Sequence, residues 1–217
     1  MPIVRTTHPG FSVLLGPDYA GKSSVMSEFA SSSPAWRLIS TDERFLQPAH
    51  ALIGRLRRDV AVDVLPSLGT DYSPEFTASL LQTAVVHLRD RIEASDPSSP
   101  TLVDSYYYKI LAKCRLAGLR DNPMFTWWRS FPQPRRVVFL DVSTSTAWRR
   151  SGNGAATNRL EYYGDRPDPK GFAAYQTKLR RLMLDEISHL PVTVIRAQGD
   201  IAQTAQAIRK VLSDEDR

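Results

Sequence analysis

Residues 16–24 read Gly16-Pro17-Asp18-Tyr19-Ala20-Gly21-Lys22-Ser23-Ser24. The spacing satisfies G-x-x-x-x-G-K-[ST], a phosphate-binding loop that needs a strand before it and a helix after it. Both are readable here. "FSVLL" (Phe11–Leu15) is a short apolar run closed by Gly-Pro, and the residues from Lys22 to Ser31 have a helical pattern. The two glycines allow a tight wrap in which backbone N–H groups point inward, and the helix start adds positive potential. Lys22 would hold the β- and γ-phosphates as a point charge, and the Ser23 hydroxyl would ligate Mg²⁺. Gly16, Asp18, Tyr19, Ala20, Gly21, Lys22, Ser23 and Ser24 are thus the expected nucleotide-binding stretch.

Outward from this loop, strands alternate with helices. "WRLIS" (Trp36–Ser40) is a second strand, followed by a polar, partly helical region to Leu65. In "SPEFTASLLQTAVVHLRDRIEAS", Ser73 is a cap, Pro74 fits the first turn and Glu75 suits the helix dipole. Phe76, Leu80, Ala84, Leu88 and Ile92 give that helix an apolar stripe. "TLVD" (Thr101–Asp104) is a third strand, and "SYYYKILAKCRLAG" a helix ended by Gly118. Arg136–Val142 is the fourth strand, with the short helix "STAWRRSG" after it. The residues from Ser151 to Gly164 are rich in Gly, Asn and Ala and read as a mobile lid, with bounds near 150–168. A helix with Phe172, Tyr175, Leu179, Leu182 and Leu190 on one face leads to a fifth strand, "PVTVIRA", and a last helix, "DIAQTAQAIRKVL". Mostly continuous apolar strands between helices call for a parallel sheet covered on both faces. The expected fold is α/β: a three-layer P-loop NTPase fold with five parallel strands and a lid, in one domain spanning 1–217. The first ten residues and the tail "SDEDR" are expected to fray.

Composition excludes several classes. A chain of 217 residues can bury roughly 70% of its unfolded surface and needs no staples. Cys114 is the single cysteine, which suits a reducing compartment, and it sits in a helical run as a small buried apolar residue. The four histidines lack metal-ligand spacing, so structural zinc is not expected. No leader pattern and no 18-residue apolar run is visible, so the expected place is the cytoplasm, with no membrane partner. The net charge of +5 hints at polyanions, but Lys/Arg runs never exceed two, so nucleic acid is not the expected partner.

A Ras-type GTPase would need a D-x-x-G switch at the end of a further strand and an N-K-x-D base-reading motif, which this sequence does not offer, and motor or AAA-type ATPases usually need a larger chain. Small kinases remain. The sequence resembles thymidylate kinases and, more widely, the nucleoside-monophosphate kinase fold. "GPDYAGKSS" is similar to that family's G-x-D-x-x-G-K-S-T loop, and "TLVDSYYYKILAK" to its strand plus D-R-Y segment. "RRVVFLDVSTSTAWRR" resembles its strand, L-D-V and basic-ended helix. "NRLEYYGDRPDPKGFAAYQTKLRRLML" is similar to its lid arginine, D-R-x-E motif and following helix, and "VTVIRAQGDIAQTAQAIRKVL" to its last strand and adenine loop. The resemblance implies ATP and Mg²⁺ as cofactors, Asp18 toward the acceptor, and Gln198 in the loop over adenine.

The departures bear on the acceptor. The family's R-E-P-G-G-T is here "STDERFLQP", its A-D-R is the apolar "TAVVHL", and its D-R-Y arginine is Ser105. The arginines that hold an acceptor phosphate are largely missing. A hydroxyl acceptor needs no such clamp but gains from a carboxylate in reach. Asp42, with Glu43 second, is the expected base, the alternative being a cap for the next helix. Asp104, at a strand end, is expected on Mg²⁺ or the acceptor hydroxyl. Asp141 reads as a helix cap. Because Tyr19 replaces the loop arginine of some thymidylate kinases, the catalytic positive charge is expected from the lid, at Arg149 and Arg159, with Arg150 and Arg166 as solvated alternatives. One of Tyr106, Tyr107 and Tyr108 is expected to face the cleft, Lys109 could replace a lost arginine, and Trp127-Trp128 reads mainly as packing. The expected protein is a kinase moving the ATP γ-phosphoryl to a small acceptor, either a nucleotide or an alcohol. A polynucleotide 5′-kinase, a nucleotide sensor without turnover and a simple ATPase are the rivals, and a homodimer stays open.

Overall fold

The computed structural model describes residues 10–120, 122–197 and 200–213. Five strands form one sheet in the order β2-β3-β1-β4-β5, all parallel. They are β1 (Phe11–Leu15), β2 (Arg37–Ile39), β3 (Thr101–Asp104), β4 (Arg136–Asp141) and β5 (Val192–Arg196). The central three are mostly apolar and buried along nearly all of their length because helices cover both of their faces. One core unites Val13, Leu15, Val103, Val137 and Phe139 with α3 (Pro74–Glu93), α4 (Tyr108–Leu116), α5 (Pro123–Arg129) and α7 (Pro169–Glu186). The opposite core sets Leu14, Leu102, Val138 and Leu140 against α1 (Lys22–Ser32) and α8 (Ile201–Ser213). The two remaining helices are α2 (Ala51–Asp59) and α6 (Thr144–Arg150).

The caps explain most element boundaries. Ser73 Oγ accepts from the N–H of Phe76 to start α3, Asn122 caps α5, and Asp168 caps α7 through two backbone N–H groups. Ser143 caps α6, so Asp141 does not hold the capping position expected of it; its carboxylate forms a bidentate pair with Arg180, 2.8 and 2.9 Å. The apolar stripe of α3 is also shifted from expectation. Phe76 is 46% exposed and Leu80 only half-buried, whereas Ala78, Val85, Leu88 and Ile92 face the core. Leu80 packs instead with Val60, Val64 and Leu65 in a separate small cluster, and Phe76 stacks on Tyr72 at 5.1 Å. The helix expected to begin at Ser105 begins instead at Tyr108, because Ser105 and Tyr106 adopt left-handed φ values of 58° and 44°. The chain ends at 1–9 and 214–217, expected to fray, lie outside the described residues.

Candidate active site

The carboxyl ends of β1, β2 and β3 open into a cleft of about 530 Å³. In an open α/β sheet this is where ligands sit. The phosphate loop forms one wall. Gly21, with φ +91°, turns the chain into α1, and a Cβ at Gly16 would strike the Leu140 carbonyl oxygen. Lys22 is buried and donates 3.1 Å hydrogen bonds to the Gly16 and Pro17 carbonyls. Burial, and next the charge of Lys109, lower its pKa to about 7.

The opposite wall is apolar, built by Val60, Leu65, Leu81, Ala84, Leu88 and Ile110. Between the walls stand the charges. Asp42 and Asp104 both line the cleft. Ser40 joins them: its hydroxyl donates to Asp104 Oδ2 (2.9 Å) and accepts from the N–H of Asp42 (3.0 Å). Asp42 is held at its other end by Arg44, at 2.9 and 3.2 Å. Burial pushes its carboxyl up, but hydrogen bonds from Arg44 and Ser23 outweigh that and bring it down to about 2. Asp42 also accepts from the N–H of Arg44, so the residue expected as base also caps the local turn. Glu43, the second choice, is not in the cleft: it is exposed and pairs with Arg58 on α2.

Asp18 sits at the centre of a network that the sequence did not disclose. It is 6% exposed, and its Oδ1 meets Lys109 Nζ at 2.6 Å and Lys113 Nζ at 3.1 Å. The Gln176 amide, from α7, donates to Asp18 Oδ2 (3.0 Å) and accepts from the Asp18 N–H (3.1 Å). Gln176 also donates to the Glu161 carbonyl, and the Glu161 side chain reaches Lys113 at 3.4 Å. Burial alone would raise the Asp18 pKa; Lys109 and Lys113 reverse this and hold it far below the usual carboxylate range. Two lysines one helical turn apart on α4 and a glutamine 158 residues from its partner carry no local sequence signal.

The segment expected to form a mobile lid is anchored rather than loose. Ser151, Gly154, Leu160 and Glu161 are buried. Tyr19, with φ 58°, sends its hydroxyl to the Ala156 carbonyl (2.6 Å) and Glu161 Oε2 (2.8 Å). The expected lid cations are not the ones at the loop. Arg149 is exposed and bonds Thr146, one turn back on its own helix. Arg159 turns to the Gly164 carbonyl, 2.8 Å, beside the Tyr162 ring. Arg166 is exposed. Arg150 instead reaches across to the phosphate loop, donating to the Ala20 carbonyl at 3.0 Å. Helical geometry separates the two adjacent arginines by about 100°, so only one can face the loop.

Other expectations sort as follows. Of the three tyrosines, Tyr106 faces the cleft, while Tyr107 and Tyr108 share Gln133 in the core. Lys109 lines the cleft. Trp128 is fully buried and Trp127 packs on Phe131, away from the cleft. Arg57, unforeseen, lines the cleft and donates to the Thr41 carbonyl at 2.6 Å. Cys114 is buried, its thiol pushed up to about 12 by burial. Ser24 is exposed at the mouth, and Gln198 lies outside the described residues. Ser23, Asp42 and Asp104 offer only oxygen donors, the hard set that suits Mg²⁺ with several waters and substrate phosphates. Among the described residues there is no group of three or more His, Cys, Asp or Glu able to hold a metal alone, and no helix long and apolar enough to cross a membrane.

No protein-family model matches the sequence, and neither does any curated protein. Solved structures do match. A thymidylate kinase from Candida albicans, described as having broad substrate specificity, has 17% identity and a TM-score of 0.63, over 96% of this chain and 93% of its own. The deoxyadenosine kinase of M. mycoides, with dCMP and dCDP bound, has 14% identity and a TM-score of 0.61, over 94% and 99%. The same enzyme with dATP gives 13% and 0.58. The chain therefore has the P-loop kinase fold of these nucleotide and nucleoside kinases, at identities that speak to fold alone.

Proposed function

We propose that this protein is an ATP-dependent kinase that transfers the γ-phosphoryl group to a hydroxyl of a small, uncharged, nucleoside-sized acceptor. The observation that carries this reading is the pairing of charges in the cleft. Asp42 and Asp104 stand together beside Lys22 and Ser23. The cleft cations Arg44, Lys109 and Lys113 are each tied to a carboxylate. An acceptor phosphate would have to break such pairs, whereas a hydroxyl needs only one lone pair of a carboxylate in reach. The apolar wall suits a flat ring rather than a charged chain.

In this reading the loop N–H groups, Lys22 and Arg150 hold the triphosphate. Phosphates restore the proton that burial makes costly for Lys22. Ser23 and Asp104 would hold Mg²⁺, which would offset the negative charge of the phosphates. The acceptor oxygen forms a bond to the γ-phosphorus as the bond to the β,γ-bridging oxygen breaks; ADP leaves, and the acceptor proton passes to Asp42. Asp18, pinned by Lys109, Lys113 and Gln176, offers its remaining lone pairs to a second acceptor hydroxyl. The closed lid excludes water, the competing acceptor.

A second reading, a nucleoside monophosphate as acceptor, draws on Arg57, which lines the cleft with a carbonyl and not a carboxylate as partner. A mass-spectrometric product screen separates the two. Nucleosides, nucleoside monophosphates and alcohol metabolites are each offered with Mg·ATP. Products from uncharged acceptors, absent with Lys22→Ala, are expected. Products from monophosphates alone would favour the second reading, and ADP formation independent of any acceptor would reduce the protein to an ATPase.

A further inference from the structure

A second, smaller cavity of about 110 Å³ opens beside edge strand β2. Four basic side chains line it: Arg37 from β2, His50 from the turn Pro48–His50, and His87 and Arg91 from α3. His87 and Arg91 are four residues apart, so they share one helix face. The two imidazole rings lie 5.0 Å apart, tilted by 60°. Among the described residues none of the four has an ion pair or a side-chain hydrogen bond. The acidic group that acts on His87, Asp90, is turned outward onto Arg89 at 2.6 Å. Ser40 and Gln47 complete the polar lining, with Leu38, Phe45 and Leu46 around them.

Basic side chains gathered without a counter-ion disfavour charge on one another. Burial, and next the neighbouring Arg91, lower the pKa of Arg37. His87 is lowered in the same way, by burial and then by His50 and Arg91, against the opposing pull of Asp90. Two histidines could suggest a metal, but two guanidinium groups in the same cavity repel a cation. They instead match the edges of a tetrahedral oxyanion, which planar guanidinium forks bind in bidentate fashion. The cavity is well below the roughly 300 Å³ at which small-molecule pockets begin, so it has room for the anionic group and not for a nucleoside.

We infer that this cavity is a second anion site, separate from the phosphate loop, that takes a phosphate-class oxyanion coordinated by Arg37, His50, His87 and Arg91. The anion is either free or the terminal phosphate of a larger molecule whose remainder stays outside. The inference does not depend on the reaction proposed above.

The test is a histidine NMR titration of the full chain carrying Lys22→Ala, which removes the main competing phosphate contact. Inorganic phosphate is added in one arm and AMP in the other, with sodium chloride at matched ionic strength as reference. The His50 and His87 signals are expected to move together and saturate with a single dissociation constant, while His189 stays still. Arg91→Gln and Arg37→Gln are each expected to weaken that constant about tenfold or more. Affinity should fall as rising pH takes the proton from His87, whose titration burial and then His50 and Arg91 move below the ordinary imidazole range. Saturation by phosphate alone supports a free ion, and saturation by AMP as well supports a phosphate monoester. Overturning results are an unsaturating drift equal to that in chloride, or an unchanged constant in both arginine variants. Unchanged far-UV circular dichroism shows that a variant is folded; should Arg37→Gln fail this, Arg91→Gln and His87→Gln carry the same test.

Discussion

Asp42 is a weak base because Arg44 and Ser23 stabilise its ionised form, at about 2. Phosphoryl transfer through a loose transition state asks little of a base, since the acceptor oxygen becomes acidic only as its bond to phosphorus forms. Asp42→Asn keeps the shape and removes the charge. It is expected to lower kcat by about 10² or more, with ATP affinity from direct titration little changed; full turnover in steady-state assays would take the proton from Asp42 and leave Asp104 as the candidate. The arginines give a sharper contrast. Arg150→Ala is expected to cost about 10² or more in kcat/KM if its guanidinium meets charge developing on the γ-phosphoryl. Arg149→Ala, on an exposed side chain bonded to Thr146, should leave kcat/KM within about twofold, as surface substitutions do. The reverse order in parallel assays would restore the sequence expectation. Sequence could name a basic helix end but not which of two neighbours faces the loop, because that depends on the rotation of α6 about its axis.

At the scale of elements, the phosphate loop is tied to the lid by Tyr19. Its hydroxyl proton is shared between the Ala156 carbonyl and the Glu161 carboxylate, and its ring packs on Phe172 of α7. Tyr19→Phe keeps the ring contact and removes that shared hydrogen bond, worth about 1.5 kcal/mol to a charged acceptor. A loss of about 1.4 kcal/mol multiplies the open population tenfold, so limited proteolysis within 151–168 should accelerate about tenfold with the global unfolding midpoint nearly unmoved. Equal cleavage rates would mean that the lid is held by Leu160, Glu161 and Gln176 without the tyrosine. The elements themselves were largely legible. Largely apolar runs marked β1, β3 and β4, and Ser73-Pro74 marked a helix start, because strands covered on both faces and capped helices leave local traces. The misreadings came from longer range. α5 is short and hidden among prolines, and Leu80 left the main core for a separate cluster with Val60, Val64 and Leu65. Asp18 was named from the loop pattern, yet Lys109, Lys113, Glu161 and Gln176 around it are assembled by packing of α4, the lid and α7, which no local pattern records.

On the scale of the whole molecule, a ligand that binds only the folded chain stabilises all of it. The cleft joins the carboxyl ends of three strands, α3, α4 and the lid, so a bound nucleotide bridges elements from both halves of the sequence. At a hundredfold excess over its dissociation constant, Mg·ATP is expected to add about 2.7 kcal/mol, which for a chain of this size raises Tm by about 5–11 °C. Lys22→Ala should abolish most of that rise. The gain should also depend on pH with a definite sign. Lys22 has a pKa lowered to about 7 in the free protein. Below that value the ammonium is already present, and bound phosphates find it charged. Above it, binding must also return a proton to Lys22, which costs about 1.4 kcal/mol per pH unit. The ATP-induced rise in Tm, followed by differential scanning fluorimetry, should therefore be largest at or below pH 7 and shrink toward pH 9. A rise that is independent of pH would mean that Lys22 keeps its proton without the nucleotide, held by Asp18 and Asp104 against its burial.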